Sequence, residues 1–279
     1  MDGDRRSNRP PSSTDGEPVT ASNNSESTGG EPVTASGQPA MGAPTDPSGS
    51  ALQFGPRTVY LPLAGALVLA DLHLGRAASA GITVPIGGST DVLERLRAML
   101  SRFEPETLVL AGDVLHAFSV LPAPVVDAVA DIEDLVADAG ANLVVLAGNH
   151  DAMLERATDA EVFEQYRLDA ASTIVCHGHE RPAGTADRYV IGHEHPAFEI
   201  EGRKRPCVLY GAGAYRGGDV IVLPPFSRLP RGVTVGNILR EGADSPMIDD
   251  IGTFRAGVWD DRQERLRWFP PLAACREFL

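Results

Sequence analysis

"TLVLAGDVLHAF", residues 107–118, runs from apolar residues straight into Gly-Asp. A short run that is apolar at nearly every position reads as a strand covered on both faces, the kind found in parallel sheets beneath helices. The same event recurs on either side: "ALVLADLHLGR" (66–76) leaves its apolar run at Asp71, and "NLVVLAGNHDA" (142–152) leaves at Gly148-Asn149-His150-Asp151. Between these runs the spacing predicts helices. Over 91–103, Asp91 stands as a cap with Glu94 three positions on, and Val92, Leu93, Leu96, Met99, Leu100 and Phe103 form a stripe. Across 122–139, Val125, Val126, Val129, Ile132, Leu135 and Val136 share one side. Further on the pattern changes to short strands at 173–176, 188–191, 197–201, 206–210, 219–223, 253–258 and 265–268. The expectation is a first half of βαβ units packed with a mostly β second half.

Ahead of this pattern, residues 1–50 contain no Leu, Ile, Phe, Tyr, Trp or Cys, and "GEPVTAS" occurs twice, at 16–22 and 30–36. Such a stretch cannot bury enough apolar surface to offset its ordering entropy. Residues 1–53 are therefore expected to be a disordered acidic tail, and 54–279 a single domain. The 279 residues carry a formal charge of −14, and Lys204 is the one lysine beside 23 arginines. Many carboxylates with little lysine suit solubility at high salt, as in a halophilic archaeon, while a GC-rich genome also favours arginine codons. An acidic total argues against non-specific nucleic-acid binding but leaves room for a local basic surface. Three cysteines without paired spacing suggest reduced thiols. No apolar run approaches the ~20 residues of a membrane helix, so a soluble cytoplasmic protein is expected.

Each apolar run ends in polar chemistry: "ADLHLGR" (70–76), "AGDVLHAF" (111–118), "AGNHDA" (147–152), "CHGHERP" (176–182) and "GHEHPAF" (192–198). Ligand sites in α/β sheets form at the carboxyl ends of strands. The seven histidines all fall within or just after these exits. Asp71, His73, Asp113, Asn149, His177, His193 and His195 mix carboxylate, amide and imidazole donors, which suits Mn, Fe, Co, Ni or Zn better than Ca. Seven donors are too many for one tetrahedral ion and suit two ions sharing a carboxylate. Two such cations clamp the oxygens of an in-line displacement at phosphorus and lower the pKa of a bridging water. Asp71/His73 and His193/His195 are i, i+2 pairs, which point to one side if the backbone there is extended.

The ordered set DLH, GD, GNHD, H and GHEH between residues 71 and 195 resembles the calcineurin-like metallophosphoesterases, whose signature is DxH, GD, GNH(D/E), H and GHxH. Within that family, "DLHLGR", "GITVPIGGSTDVLERL" (81–96), "GHEHPAFEIEG" (192–202) and "VLPPFSRLPRG" (222–232) are similar to the prokaryotic DNA ligase-associated and archaeal phosphoesterase group. The resemblance implies a four-layer αββα sandwich of two mixed β-sheets flanked by helices, in the α/β class. It implies a first ion on Asp71, His73 and His195, a second on Asn149, His177 and His193, and Asp113 bridging them, with manganese the leading metal and Fe, Zn, Ni or Co as others. His150 would face the substrate as general acid, with direct attack of a metal-bridging hydroxide on a phosphate mono- or diester. A nucleotide or nucleic-acid substrate and DNA-repair protein partners follow from the narrower similarity. A small phosphodiester stands beside a polymer, because the core is acidic and has no aromatic stacking run.

Other residues stay open. His179 competes with His177 for the same role. Asp151 orients His150 or caps the next helix. Arg76 meets a substrate phosphate or pairs with a surface acid. His116 lines the site or is structural. Cys176 packs as a small hydrophobe. Arg203-Lys204-Arg205 is the one dense basic cluster, expected in a turn between strands. A non-catalytic scaffold is the alternative function, and its mark would be lost ligands; none of the seven is substituted.

Overall fold

The alternation of the apolar runs decides which side chain faces which layer. In the computed structural model, β3 (Ala66–Leu69) and β4 (Thr107–Ala111) turn Leu67, Leu69, Leu108 and Leu110 toward helices α1 (Ser89–Phe103) and α2 (Ala123–Asp138). Their alternate residues, Ala66, Val68, Ala70, Val109 and Ala111, face the other way into a second sheet. Both faces are therefore buried, which is why these strands read as unbroken apolar runs. At ~1.5–3 kcal/mol per fully buried aliphatic side chain, this two-sided covering is the main force holding the layers.

The structure describes residues 47, 52–76, 88–116, 120–228, 230 and 232–278. The tail expected over 1–53 thus lies outside the described residues except at its last positions and Pro47. All that follows concerns the unit Met41–Leu279.

The first sheet has the order β1-β2-β3-β4-β5-β6, with β1 (Gln53–Gly55), β2 (Thr58–Leu61), β5 (Asn142–Leu146) and β6 (Val162–Phe163). β3 to β6 are parallel, and β1 and β2 add an antiparallel hairpin at the edge. The second sheet runs β13-β10-β11-β12-β9-β8-β7, with β14 pairing β11 and β15 pairing β14. These strands are β7 (Gln165–Leu168), β8 (Thr173–Cys176), β9 (Arg188–Ile191), β10 (Pro196–Ile200), β11 (Arg203–Tyr215), β12 (Gly218–Val222), β13 (Val233–Thr234), β14 (Arg255–Asp260) and β15 (Arg265–Pro271). Val175, Val190, Val208, Ile221 and Trp268 meet the first sheet, while Ile174, Tyr189, Ile191 and Val220 face outward. That outer face is covered by α3 (Val235–Glu241) and by 3-10 turns carrying Ile251 and Leu272. The chain is mixed α/β with two packed mixed sheets. Among the described residues no helix is long and apolar enough to cross a membrane.

Four expectations change. Helix α1 starts at Ser89 with Gly88 as its cap, and Asp91 caps nothing; it lies in the first turn, favoured there by the helix dipole. β1, β2, β6 and β7 were not expected. They are two to four residues long, too short for periodicity to register. The 253–258 strand begins two residues later, after a 3-10 turn over Ile251–Thr253. Arg203-Lys204-Arg205 opens strand β11 rather than forming a turn. The turn is Glu201-Gly202, both left-handed at φ 52° and 70°, which closes a two-residue hairpin between Ile200 and Arg203.

Candidate metal centre

Five strands end at one place. Asp71 stands two residues beyond β3, Asp113 two beyond β4, Asn149 three beyond β5, His177 directly after β8 and His193 two beyond β9. The ends stay laddered to one another: Asp71 N donates to Gly112 O (3.0 Å), His73 N to Asp113 O (2.9 Å) and Gly192 N to His177 O (3.0 Å). Across the two sheets, His193 N donates to the Asp71 carboxylate at 3.2 Å.

The i, i+2 pairs converge, but not through extended backbone as expected. Asp71, His73, His193 and His195 all have left-handed φ, at 57°, 46°, 69° and 47°, and so does Asp113 at 50°. Each such residue costs on the order of 1–3 kcal/mol, and Asp and His tolerate the region better than most. The repeated kink turns consecutive strand-end side chains onto a common point. Two glycines make the approach close enough. Gly112, at φ 79°, would place a Cβ 2.5 Å from His177 Nδ1, and a Cβ on Gly148 would overlap the Asp113 carboxylate.

Two banks of donors result. Asp71, His73, Asp113 and His195 offer ligand atoms all within 4.8 Å of one another. His73 Nε2 lies 3.0 Å from His195 Nε2, and His195 Nε2 3.2 Å from Asp71 Oδ1. On the other side His177 Nδ1 donates to Ala111 O (3.1 Å), leaving Nε2 as a lone pair 3.1 Å from Asn149 Oδ1 and 3.4 Å from Asp113 Oδ1. The His193 ring stands 5.0 Å from that of His177. Asp113 connects the banks: Oδ1 faces His177, and Oδ2 lies 3.8 Å from His73 and 3.9 Å from His150. Acceptors that face each other in a buried place are satisfied by a cation and by little else. The donor set therefore fits divalent metal.

Asp71, His73, Asp113 and His177 are buried, His193, His195 and His150 half-buried, and Asn149 exposed, so the site opens on the His150 side. Burial first, then the imidazoles of His195 and His150 and the guanidinium of Arg76, pushes His73 down to about 3. Burial and His177 push His193 down to about 4. Both rings are neutral lone-pair donors at pH 7. Burial opposes the charge on Asp71, yet its hydrogen bond to His195 and the surrounding imidazoles hold its carboxyl below the usual range. Burial works against the charge of His195 as well, but Asp71 outweighs it and raises this ring. A metal bound between His195 and Asp71 would take the place of any proton the two share.

His150 sits at the mouth. Its backbone N donates to Asp113 Oδ1 (3.0 Å), and its ring stacks on His116 at 6.0 Å and meets His73 edge-on at 5.6 Å. Arg76 is half-buried beside them. His179 packs its ring 5.2 Å from His177 and 6.2 Å from His193, behind the donors that reach Asp113. Cys176 is buried in apolar surroundings, which push its thiol up to about 12.

Asp151 does neither of the things expected of it: it neither orients His150 nor caps the following turn, whose cap is Met153. Its carboxylate accepts from Val114 N (3.2 Å), Leu115 N (2.8 Å) and Gly148 N (2.9 Å), stapling the Asp113 loop to the Asn149 loop. Two further positioning residues were missed. Buried Glu194 accepts from Ser245 N (2.6 Å), and Ser245 Oγ donates to Gly178 O (2.6 Å), which ties the loops after β8 and β9 together. The acidic residue flanked by two histidines in "GHEH" was the available sign of Glu194; nothing local marked Ser245.

A family model described as calcineurin-like phosphoesterase matches residues 66–209. Among solved structures, nuclease MPE of Pseudomonas putida is 25% identical over 78% of this chain and 94% of that one, with a TM-score of 0.54. Yfce, a phosphoesterase from E. coli, is 16% identical over 74% of this chain and 98% of that one, with a TM-score of 0.38. No curated protein matches the chain significantly.

Proposed function

The chain belongs to the calcineurin-like phosphoesterase family, and from that premise we propose that it hydrolyses phosphodiesters of a nucleotide or nucleic acid at a centre of two divalent ions. The observation that carries the two-ion reading is Asp113, whose Oδ2 faces His73 in one bank and whose Oδ1 faces His177 in the other. Asp71, His73 and His195 would hold one ion and Asn149, His177 and His193 the other, with Asp113 available to both. His177 rather than His179 takes the ligand position, because its Nε2 lies beside both Asn149 and Asp113. Divalent ions held by these residues, manganese foremost, would supply polarisation of the phosphoryl oxygens and a hydroxide near neutral pH.

The chain's own groups do the rest. Arg76 offers a forked donor to a phosphate entering from the open side. His150, half-exposed beside Asp113, gives its proton to the departing ester oxygen as the P–O bond breaks and the new P–O bond to water forms. Water attacks directly, so no phosphorylated side chain is left behind. The 25% identity to a nuclease supports a nucleic-acid ester over other phosphate esters. Hydrolase chemistry also fits better than a scaffold, because the donor positions all carry donors.

Chelator-treated protein should be inert toward bis-p-nitrophenyl phosphate and regain turnover on addition of Mn, with elemental analysis giving about two ions per chain, as a two-metal site requires. Turnover that is indifferent to metal, or saturation at a single ion, refutes the mechanism.

A further inference from the structure

Beside the metal centre, two adjoining cavities of about 300 and 390 Å³ share Arg57, Pro206 and Arg228 as walls. They form one trough, and its cations come from four separate parts of the chain. Arg57 lies in the β1–β2 turn, Arg95 on α1, Lys204 and Arg205 on β11, and Arg228 after Phe226. Among the described residues lining it, Asp261 is the one carboxylate. This concentration of positive charge stands on a chain of formal charge −14.

Structural duty explains part of it. Arg57 donates to Pro225 O (2.7 Å) and Ser227 O (2.6 Å), and Arg95 donates to Phe226 O with its guanidinium 4.3 Å from the Phe226 ring centre. Yet two further guanidiniums share a single acid: Arg228 is 3.2 Å from Asp91 and Arg95 4.0 Å from the same carboxylate. Burial foremost, then Arg95 and Arg228, disfavours the charge of Arg57, and burial with Arg228 does the same at Arg95. Like charges held together against this cost mark a place that an anion would complete. On the neighbouring strand exposed Lys204 donates to Gly232 O (3.1 Å), and holding the 225–227 segment does not account for exposed Arg205 beside it.

The trough adjoins the chemistry. Phe226 N donates to Ala70 O (2.8 Å) and Ser227 N to Asp71 O (3.4 Å), so Arg228 follows by one residue, about 3.8 Å along the chain, a backbone bonded to a metal-site aspartate. Pro196 and Ala197, directly after His195, line the other half. The cations are spread over both cavities, with Arg95 and Arg205 in the first and Lys204 in the second, and Val258, Trp259 and Leu266 add an apolar wall to the first. That spacing suits successive phosphates with sugars and bases between, not one small anion.

We propose that this trough binds the sugar–phosphate backbone of a single nucleic-acid strand whose scissile ester lies at the metal centre; only the placement of that ester rests on the phosphoesterase reading. The test is fluorescence anisotropy of a labelled oligothymidylate of about 15 nucleotides with the full chain in chelator, titrated between ~50 and ~200 mM salt. Two double variants are compared with wild type, Arg205→Glu/Arg228→Gln and the exposed pair Lys204→Glu/Arg205→Glu; the second keeps the Asp91 pairs intact should the first misfold. Each should weaken binding by about tenfold or more and flatten the log–log salt slope by about 1.4, two single-strand contacts at ~0.7 each. Unchanged affinity and slope in both variants overturn the proposal. So does displacement of the oligonucleotide by inorganic phosphate at matched phosphate concentration, the behaviour of a single-anion pocket. Oligonucleotide binding without metal-dependent hydrolysis of bis-p-nitrophenyl phosphate would overturn the phosphoesterase reading and leave the trough standing. Hydrolysis without binding would do the reverse.

Discussion

Replacing Asp151 with alanine separates its positioning role from any part in the chemistry. Three backbone N–H groups lose their acceptor, those of Val114, Leu115 and Gly148. Val114 and Leu115 are each 1% exposed, so water reaches neither in the folded chain. A stranded buried donor costs ~1–3 kcal/mol, and three of them, with Gly148 less buried, come to ~5–6. Against this stands relief of a buried charge: burial, opposed by those same hydrogen bonds, pushes Asp151 up to about 6. A folded pKa above the unfolded value of 3.8 means that ionisation works against the fold. The stability that the group contributes is complete below pH ~4 and is lost as pH rises through ~6, with ~3 kcal/mol gone by pH 7. The net loss for Asp151→Ala is then ~3 kcal/mol at pH 7 and ~4 at pH 5, where the wild-type carboxyl has regained its proton. For a domain of this size that is a fall in Tm of ~6–12 °C at pH 7 and somewhat more at pH 5. Calorimetry of both proteins in chelator, at the two pH values, measures it. A fall below ~2 °C at both, or a gap that shrinks on acidification, would refute the account of Asp151 as a buried staple.

Asp113→Asn should cut the metal content of reconstituted protein by at least one ion per chain and abolish turnover, because one oxygen of the shared carboxylate becomes an amide; elemental analysis alongside a rate assay reads both. His150→Gln should retain full metal content yet lose ~10²–10⁴-fold in kcat on an alkyl ester, and less on a p-nitrophenyl ester whose leaving group needs no proton. Equal losses on the two esters would remove His150 from the general-acid role. Gly148→Ala pushes a Cβ into the Asp113 carboxylate, so metal affinity should fall while the fold survives; unaltered affinity in a titration would show that the carboxylate moves aside freely.

Much of this molecule could be read along the chain, because its decisive signals are local. β3, β4 and β5 are buried on both faces, so their side chains are apolar at consecutive positions and announce themselves without any knowledge of partners. Strand exits into Asp71, Asp113, Asn149, His177 and His193 followed from the rule that parallel strands present loops at one end. The short strands β6 and β7 were invisible for the complementary reason: a segment of two to four residues owes its conformation to the neighbours it pairs with. The basic run at 203–205 read as a turn because charge suggests exposure, but exposure is equally available on an edge of a long strand.

What the sequence determined unaided was the inventory: which donors exist, in what order they leave the strands, and that a core of two-sided strands would carry them. Only the tertiary structure decided how those donors meet. Left-handed backbone at five of them aims side chains that an extended chain would have sent to a different place. Asp151 acts on loops 36 and 37 residues away in sequence, and Ser245 on a carbonyl 67 residues away. The arginines of the trough likewise come from segments as far apart as Arg57 and Arg228. Such contacts depend on distance in space, and a chain's own periodicity carries no record of which of its distant parts will be folded side by side.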